Sequence, residues 1–200
     1  MHCKLTDMIN IGLLLLLFYI SNVQCGIPIL NFAPYKTSDC SGSMVGIGFG
    51  MQEYQCIMNA TSSVVAYQIE NTNYANLTNR GSQWCDSYTG SSDFYFNKCG
   101  NSFVEPTNYY FLYKGYQAKI PPSSFVTYYM DYKCKNQLGY WFATNATVVH
   151  EDENVSTEYM CLDNQPFTNT CNSLTGNCQL LPASQSCNPT YTFNIECTSS

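Results

Sequence analysis

The residues able to do covalent or metal chemistry are few and poorly spaced for it. Of the two histidines, only His150 lies beyond the first 25 residues, in Val148-Val149-His150-Glu151-Asp152-Glu153-Asn154. A catalytic imidazole needs a nucleophile and an orienting carboxylate brought to it by the fold. Here a β-like run ends at Val149, polar residues follow, and a second run begins at Val155. The pattern predicts a hairpin tip carrying His150 and a solvated acidic cluster, with weak metal contact through Glu151, Asp152 or Glu153 as the lesser alternative. Paired carboxylates alone can hydrolyse glycosides. Asp86, Asp93, Glu105 and Asp131 stand in or near aromatic segments, but no spacing selects a pair among them. Gly46-Ile47-Gly48-Phe49-Gly50 lacks the G-x-G-x-x-G spacing, a P-loop lysine and a following helix. It reads as a strand whose glycines lie under a neighbour's side chain. No catalytic residue, metal ligand or cofactor is expected.

The cysteines point to covalent structure. The apolar run Ile11–Ile20 would make about 15 Å of helix, half of the roughly 30 Å hydrocarbon layer. It is followed by polar residues that place Val23 and Cys25 at the −3 and −1 positions of a cut before Gly26. Residues 1–25 are therefore read as a secretory signal peptide, despite Asp7 in a region that is normally positive; an uncleaved anchor and a lipoprotein signal are weaker alternatives. Of 12 cysteines the leader takes Cys3 and Cys25, which leaves Cys40, Cys56, Cys85, Cys99, Cys134, Cys161, Cys171, Cys178, Cys187 and Cys197. An even set without a C-x-x-C pair predicts disulfides in an oxidising compartment over a zinc or thiol redox site. Cys40 with Cys56 and Cys85 with Cys99 are the expected hairpin bridges. The last five cysteines fall between residues 161 and 197 and the other five before them, so at least one bridge must cross that boundary if all pair. The C-terminal end, Asn194–Ser200, has no apolar tail of the kind a lipid-anchor signal uses. The expected product is a secreted, extracellular protein without a membrane span.

Composition fits that address. Charged residues make up 11 % of the chain, against roughly 25 % in an average soluble protein. Net charge is −6, and Arg80 is the sole arginine. Phosphate-backbone binding needs several cations on one face, so nucleic acid is excluded as a partner. Sequons at Asn59, Asn76, Asn145 and Asn154 would supply glycans and the hydration that charge does not. They also mark backbone points that must face solvent.

The elements that position these residues are strands. Val126, Tyr128, Met130, Tyr132 and Cys134 alternate with polar neighbours, as do Tyr191, Phe193, Ile195 and Cys197. Further candidates are 44–49, 53–58, 63–70, 93–98, 109–116, 140–149 and 155–161, rich in aromatic and β-branched residues. One short helix is admitted within 51–80, which has neither Gly nor Pro. Turn residues at Ser41-Gly42-Ser43, Thr89-Gly90-Ser91-Ser92 and Thr175-Gly176-Asn177 make the connections short. The expected fold is all-β: one antiparallel, disulfide-stapled sandwich or meander over 26–200, with a cysteine-dense, loop-rich subregion at 161–200.

Tyrosine is in surplus, with 17 residues in the chain, eight of them clustered at 109–116, 125–132 and 140–142 together with Phe and Trp141. Neighbours on a strand point to opposite faces, so Tyr109 and Tyr110, or Tyr128 and Tyr129, cannot both enter one core. One of each pair is exposed or lies beneath a second layer. Tyr110, Tyr129 and Trp141 are the residues expected to be exposed for stacking on a ligand.

The leader, the Asn/Tyr/Ser/Thr-heavy composition and Ser38-Asp39-Cys40-Ser41-Gly42 followed by Cys56 resemble uncharacterised secreted cysteine-rich families of social amoebae. The resemblance implies a secreted protein and carries no functional residues over. The residues read best as a non-catalytic extracellular module that binds glycans or a cell surface. A matrix or protein-partner component is the alternative, and a carboxylate glycoside hydrolase a more distant one.

Overall fold

The computed structural model describes residues 27–58, 63–80, 85–101, 109–188 and 190–199. The leader 1–25, Asn59 and Glu105 lie outside them. Fifteen strands and no helix are present among the described residues: β1 Ile29–Tyr35, β2 Ile47–Gln52, β3 Cys56–Met58, β4 Ser63–Gln68, β5 Tyr74–Arg80, β6 Tyr88–Tyr95, β7 Cys99–Asn101, β8 Tyr109–Gly115, β9 Phe125–Met130, β10 Gln137–Ala143, β11 Thr147–His150, β12 Val155–Leu162, β13 Gln165–Asn172, β14 Asn177–Pro182 and β15 Phe193–Cys197. The helix admitted within 51–80 is replaced there by β3, β4 and β5. Val64 and Val65 on β4 and Thr78 on β5 are β-branched residues that a pleated sheet accommodates better than a helix.

Every strand pairing is antiparallel, and three sheets result. One has seven strands in the order β15-β9-β10-β2-β1-β8-β7; the other two are four-stranded meanders, β3-β4-β5-β6 and β11-β12-β13-β14. The all-β, disulfide-stapled architecture expected from the pattern is therefore the one observed. The run 140–149 is split, because Thr147 N–H and Oγ1 both donate to the Thr144 carbonyl and Ala146 turns with φ of 62°.

Both meanders pack on one face of the large sheet. Phe32 and Phe49 stack at 4.9 Å, Phe94 of the first meander meets Phe32 edge-on at 5.3 Å, and Ile57, Val64, Ala66 and Leu77 close around them. Toward β9, Phe125, Trp141 and Tyr159 form a triangle with centroids 5.1–5.6 Å apart, Tyr159 coming from the second meander. These groups belong to one continuous apolar core.

The opposite face of the large sheet has its own small core of Ile29, Val126, Tyr140 and Phe142, covered by Met44, Ala118 and Ile120. Here the glycines of β2 find their reason. Tyr140 is paired with Gly50 and Phe142 with Gly48. A Cβ on Gly48 would collide with the Phe142 ring, and one on Gly50 would lie 2.5 Å from a Tyr140 ring carbon. Only hydrogen leaves room for the two rings. Tyr140 then reaches Asn31, its hydroxyl donating to Oδ1 at 2.6 Å, while Asn31 Nδ2 donates to the Ile29 carbonyl at 2.9 Å.

All ten cysteines beyond the leader are paired, as Cys40–Cys99, Cys56–Cys85, Cys134–Cys187, Cys161–Cys197 and Cys171–Cys178. The two expected hairpin bridges are corrected: Cys40 and Cys85 exchange partners relative to the expectation. The shorter bridge nests inside the longer because β3 to β6 form a sheet of their own, which returns Cys85 beside Cys56, whereas β7 joins the large sheet and carries Cys99 back to Cys40. Cys40 is held in the left-handed region, φ 53°, by a loop in which Asp39 Oδ1 accepts from Ser41 N–H and Thr37 Oγ1 accepts from the same group. Hydrogen bonding from Ser41, then Thr37, keeps the Asp39 carboxyl below its ordinary pKa. The one bridge that crosses the 160/161 boundary is Cys134–Cys187.

Candidate binding face

The expected stacking residues are not presented to solvent together. Tyr110 is fully buried, its hydroxyl donating to the Ile47 carbonyl at 3.0 Å. Trp141 is 6 % exposed within the Phe125–Tyr159 triangle. Tyr129 is half-buried beside Phe193, and burial holds its hydroxyl pKa far above the ordinary value. The expectation that these three form an exposed set is thus corrected. Period-2 alternation assigns residues to two faces, but both faces of the large sheet are covered here.

Two exposed tyrosines, Tyr54 and Tyr95, and two half-buried ones, Tyr67 and Tyr74, come together elsewhere, on the outer face of the first meander. Alternation on β4, β5 and β6 sends Val64, Ala66, Ala75, Leu77 and Phe94 into the core. The intervening residues, Tyr67, Tyr74, Asn76, Asp93 and Tyr95, therefore face outward. Register aligns Tyr67 with Asn76 and Asn76 with Asp93 in one row across three strands, with Tyr74 opposite Tyr95 beside it. Asn76 Nδ2 donates to Asp93 Oδ1 at 2.8 Å, and Thr78 Oγ1 donates to Asn76 Oδ1 at 2.9 Å. The rings of Tyr74 and Tyr95 lie 5.7 Å apart, with Lys98 Nζ 5.3 Å above Tyr95.

Tyr54 joins the face from the turn before β3. It stacks on Tyr67 at 5.3 Å with planes 7° apart and is 67 % exposed. Its φ of 64° is a left-handed conformation that costs a non-glycine residue roughly 1–2 kcal/mol, and its N–H donates to the Ala66 carbonyl at 2.9 Å, which fixes the turn. The result is a face that carries one stacked and one tilted pair of rings beside an amide and a carboxylate. Tyr54, Tyr67, Tyr74 and Tyr95 lie outside the densest tyrosine clusters; for Tyr74 and Tyr95 the two-residue spacing to Asn76 and Asp93 was the available signal.

The other chemical candidates are occupied by local structure. His150 is exposed at the end of β11, and Asp152 Oδ1 accepts from the N–H groups of Asn154 and Val155 to close the hairpin. Glu151 accepts from Thr157 Oγ1 at 2.6 Å. Asp131 accepts from the Lys135 and Lys133 N–H groups and from Asn136 Nδ2; hydrogen bonding, chiefly from Lys135, lowers its pKa. That direction is opposite to the one a general acid needs. An open cleft of about 440 Å³ lies under the loop after β8, lined by Tyr116, Ile120, Tyr128, Gln137 and Thr198 among others. It brings no acid–base pair together.

Among the sequons, Asn145 is exposed in the turn between β10 and β11, with Oδ1 accepting from Cys161 N–H, and Asn154 lies in the turn before β12. No helix among the described residues is long and apolar enough to cross a membrane. The family described as counting factor-associated protein A/B/C matches residues 4–199, in keeping with the resemblance to secreted proteins of social amoebae. No curated protein and no solved structure matches the chain.

Proposed function

We propose, from the premise that this chain belongs to the counting factor-associated protein A/B/C family, that it is a secreted binding protein whose outer tyrosine face takes up carbohydrate without catalysis. Family membership and five disulfides point to secretion. The single domain over 26–200, the cleaved leader and the glycans on the sequons belong to the same proposal.

The observation that carries it is the juxtaposition of the Tyr54–Tyr67 and Tyr74–Tyr95 ring pairs with the Asn76–Asp93 hydrogen bond. A pyranose presents an apolar C–H face and a polar hydroxyl rim. Aromatic faces pack on the first. A carboxylate and an amide accept from and donate to the second. The test uses chain produced without N-glycans and a glycan array. Tyr67→Ala and Tyr95→Ala are each expected to weaken binding about five- to tenfold, the equivalent of roughly 1–1.4 kcal/mol, with an unchanged melting temperature. Binding that is indifferent to both substitutions would sink the reading.

A second reading rests on β14. This edge strand of the second meander is exposed along its whole length, with Leu180 and Leu181 near half exposure, and residues 164–195 carry no charged side chain. An uncharged open edge accepts a further strand. Association with counting factor proteins, named in the family description, would use this edge. Leu180→Lys should then abolish co-purification with them while leaving glycan binding intact.

A further inference from the structure

We infer that Asn76 carries an N-glycan whose first sugars lie on the tyrosine face, so that the face is occupied intramolecularly in the glycosylated protein. Three observations meet at this residue. Asn76-Leu77-Thr78 is a sequon. It sits in the centre of the face, with Tyr74 two residues before it and Thr78 two after it on the same side of β5, Tyr67 opposite on β4 and Asp93 opposite on β6. Its side chain is already oriented, Oδ1 accepting from Thr78 Oγ1 and Nδ2 donating to Asp93.

Attachment occurs at Nδ2, and the glycosylated amide keeps one N–H, enough to retain the Asp93 bond. Neighbouring strands lie about 4.8 Å apart and alternate residues on a strand about 7 Å apart. The rings of Tyr67, Tyr74 and Tyr95 are therefore within reach of the first one or two sugar units. A tethered sugar experiences an effective concentration on the order of mM or more, which outcompetes a weakly bound external glycan. Asn145 and Asn154 lie in turns on the second meander's side of the chain, away from this face.

This inference rests on the binding reading only in using the same face, and its test separates the two. In the secreted chain, site-resolved glycopeptide mass spectrometry should find Asn76 occupied. Exoglycosidase trimming at Asn76 should be at least tenfold slower in the native protein than in the glycopeptide released from it. Tyr67→Ala or Tyr95→Ala, each checked for a native near-ultraviolet spectrum, should bring the native rate up to the peptide rate. An empty Asn76, equal rates, or protection that survives both substitutions would overturn it. Thr78→Val removes the sequon but leaves Asn76 and Asp93 in place. If trimming is protected yet the Thr78→Val chain binds no external glycan, the inference stands and the external-ligand reading fails. If the glycosylated and Thr78→Val chains bind external glycan equally, the inference fails and that reading stands.

Discussion

Tyr140 shows how a single side chain can serve two strands at once. Its ring fills the space that Gly50 leaves on β2, and its hydroxyl satisfies Asn31 on β1, a residue 1 % exposed. Removing the hydroxyl keeps the packing but leaves Asn31 Oδ1 buried without its donor. Tyr140→Phe should therefore cost about 1–3 kcal/mol, read as a lower midpoint in urea at unchanged slope. Parity along a strand was legible in the sequence: Tyr109 and Tyr110 do point to opposite faces, and so do Tyr128 and Tyr129. Which parity meets water was not, because that depends on whether a second layer covers the sheet. Met44, from the loop before β2, and Ala118 and Ile120, from the loop after β8, supply the layer beside Tyr128 over Tyr140. On the other face Phe94 and Tyr159 of the two meanders lie over Tyr110 and Trp141, and the choice of these two as exposed residues failed for that reason.

Strands rich in aromatic and β-branched residues announced themselves, and strands without a clear apolar alternation did not. β15 and β12 fall within a residue or two of the ranges read from alternation. β1 went unread because Ile29 to Pro34 are buried without alternation and Pro34 argues against a strand, although β1 lies between β2 and β8. β5, β13 and β14 went unread because Asn, Thr and Gln occupy positions where apolar residues mark a strand more plainly. The glycines of β2 were legible as residues lying under a neighbour's side chain. A related constraint holds for Gly139 on β10, where a Cβ would meet Ile57 Cγ2 at 2.6 Å and the Gly50 carbonyl oxygen at 2.8 Å. A backbone atom cannot rotate away as a ring can. Gly139→Ala should destabilise by about 1–3 kcal/mol, and calorimetry should show a larger fall in melting temperature than for Gly50→Ala.

Across the whole molecule, tyrosine burial sets an alkaline limit. Burial raises the hydroxyls of Tyr113, Tyr128, Tyr129 and Tyr140, and it pushes Tyr159 up to about 12. In the unfolded chain these groups ionise near 10, so above that pH the unfolded state has released protons that the folded state still holds. Stability is then fully present below about pH 10 and is lost as pH climbs toward 12, by up to roughly 1.4 kcal/mol per pH unit for each of the well-buried Tyr129, Tyr140 and Tyr159 and by less for the partly exposed Tyr113 and Tyr128. Denaturant midpoints measured from pH 8 to 11.5 should be flat at first and then fall steeply; a flat profile throughout would contradict the burial described. The bridges divide the chain in a way the cysteine count could not reveal. Cys40–Cys99 and Cys56–Cys85 end before residue 100, and the remaining three begin at Cys134. In the large sheet, strands β1, β2, β7 and β8 meet strands β9, β10 and β15 along one ladder alone, β2 with β10. A protease nick after exposed Lys119 would thus yield two separately cross-linked fragments that part in non-reducing detergent, yet the same halves, secreted from two genes, should find each other and reassemble one to one.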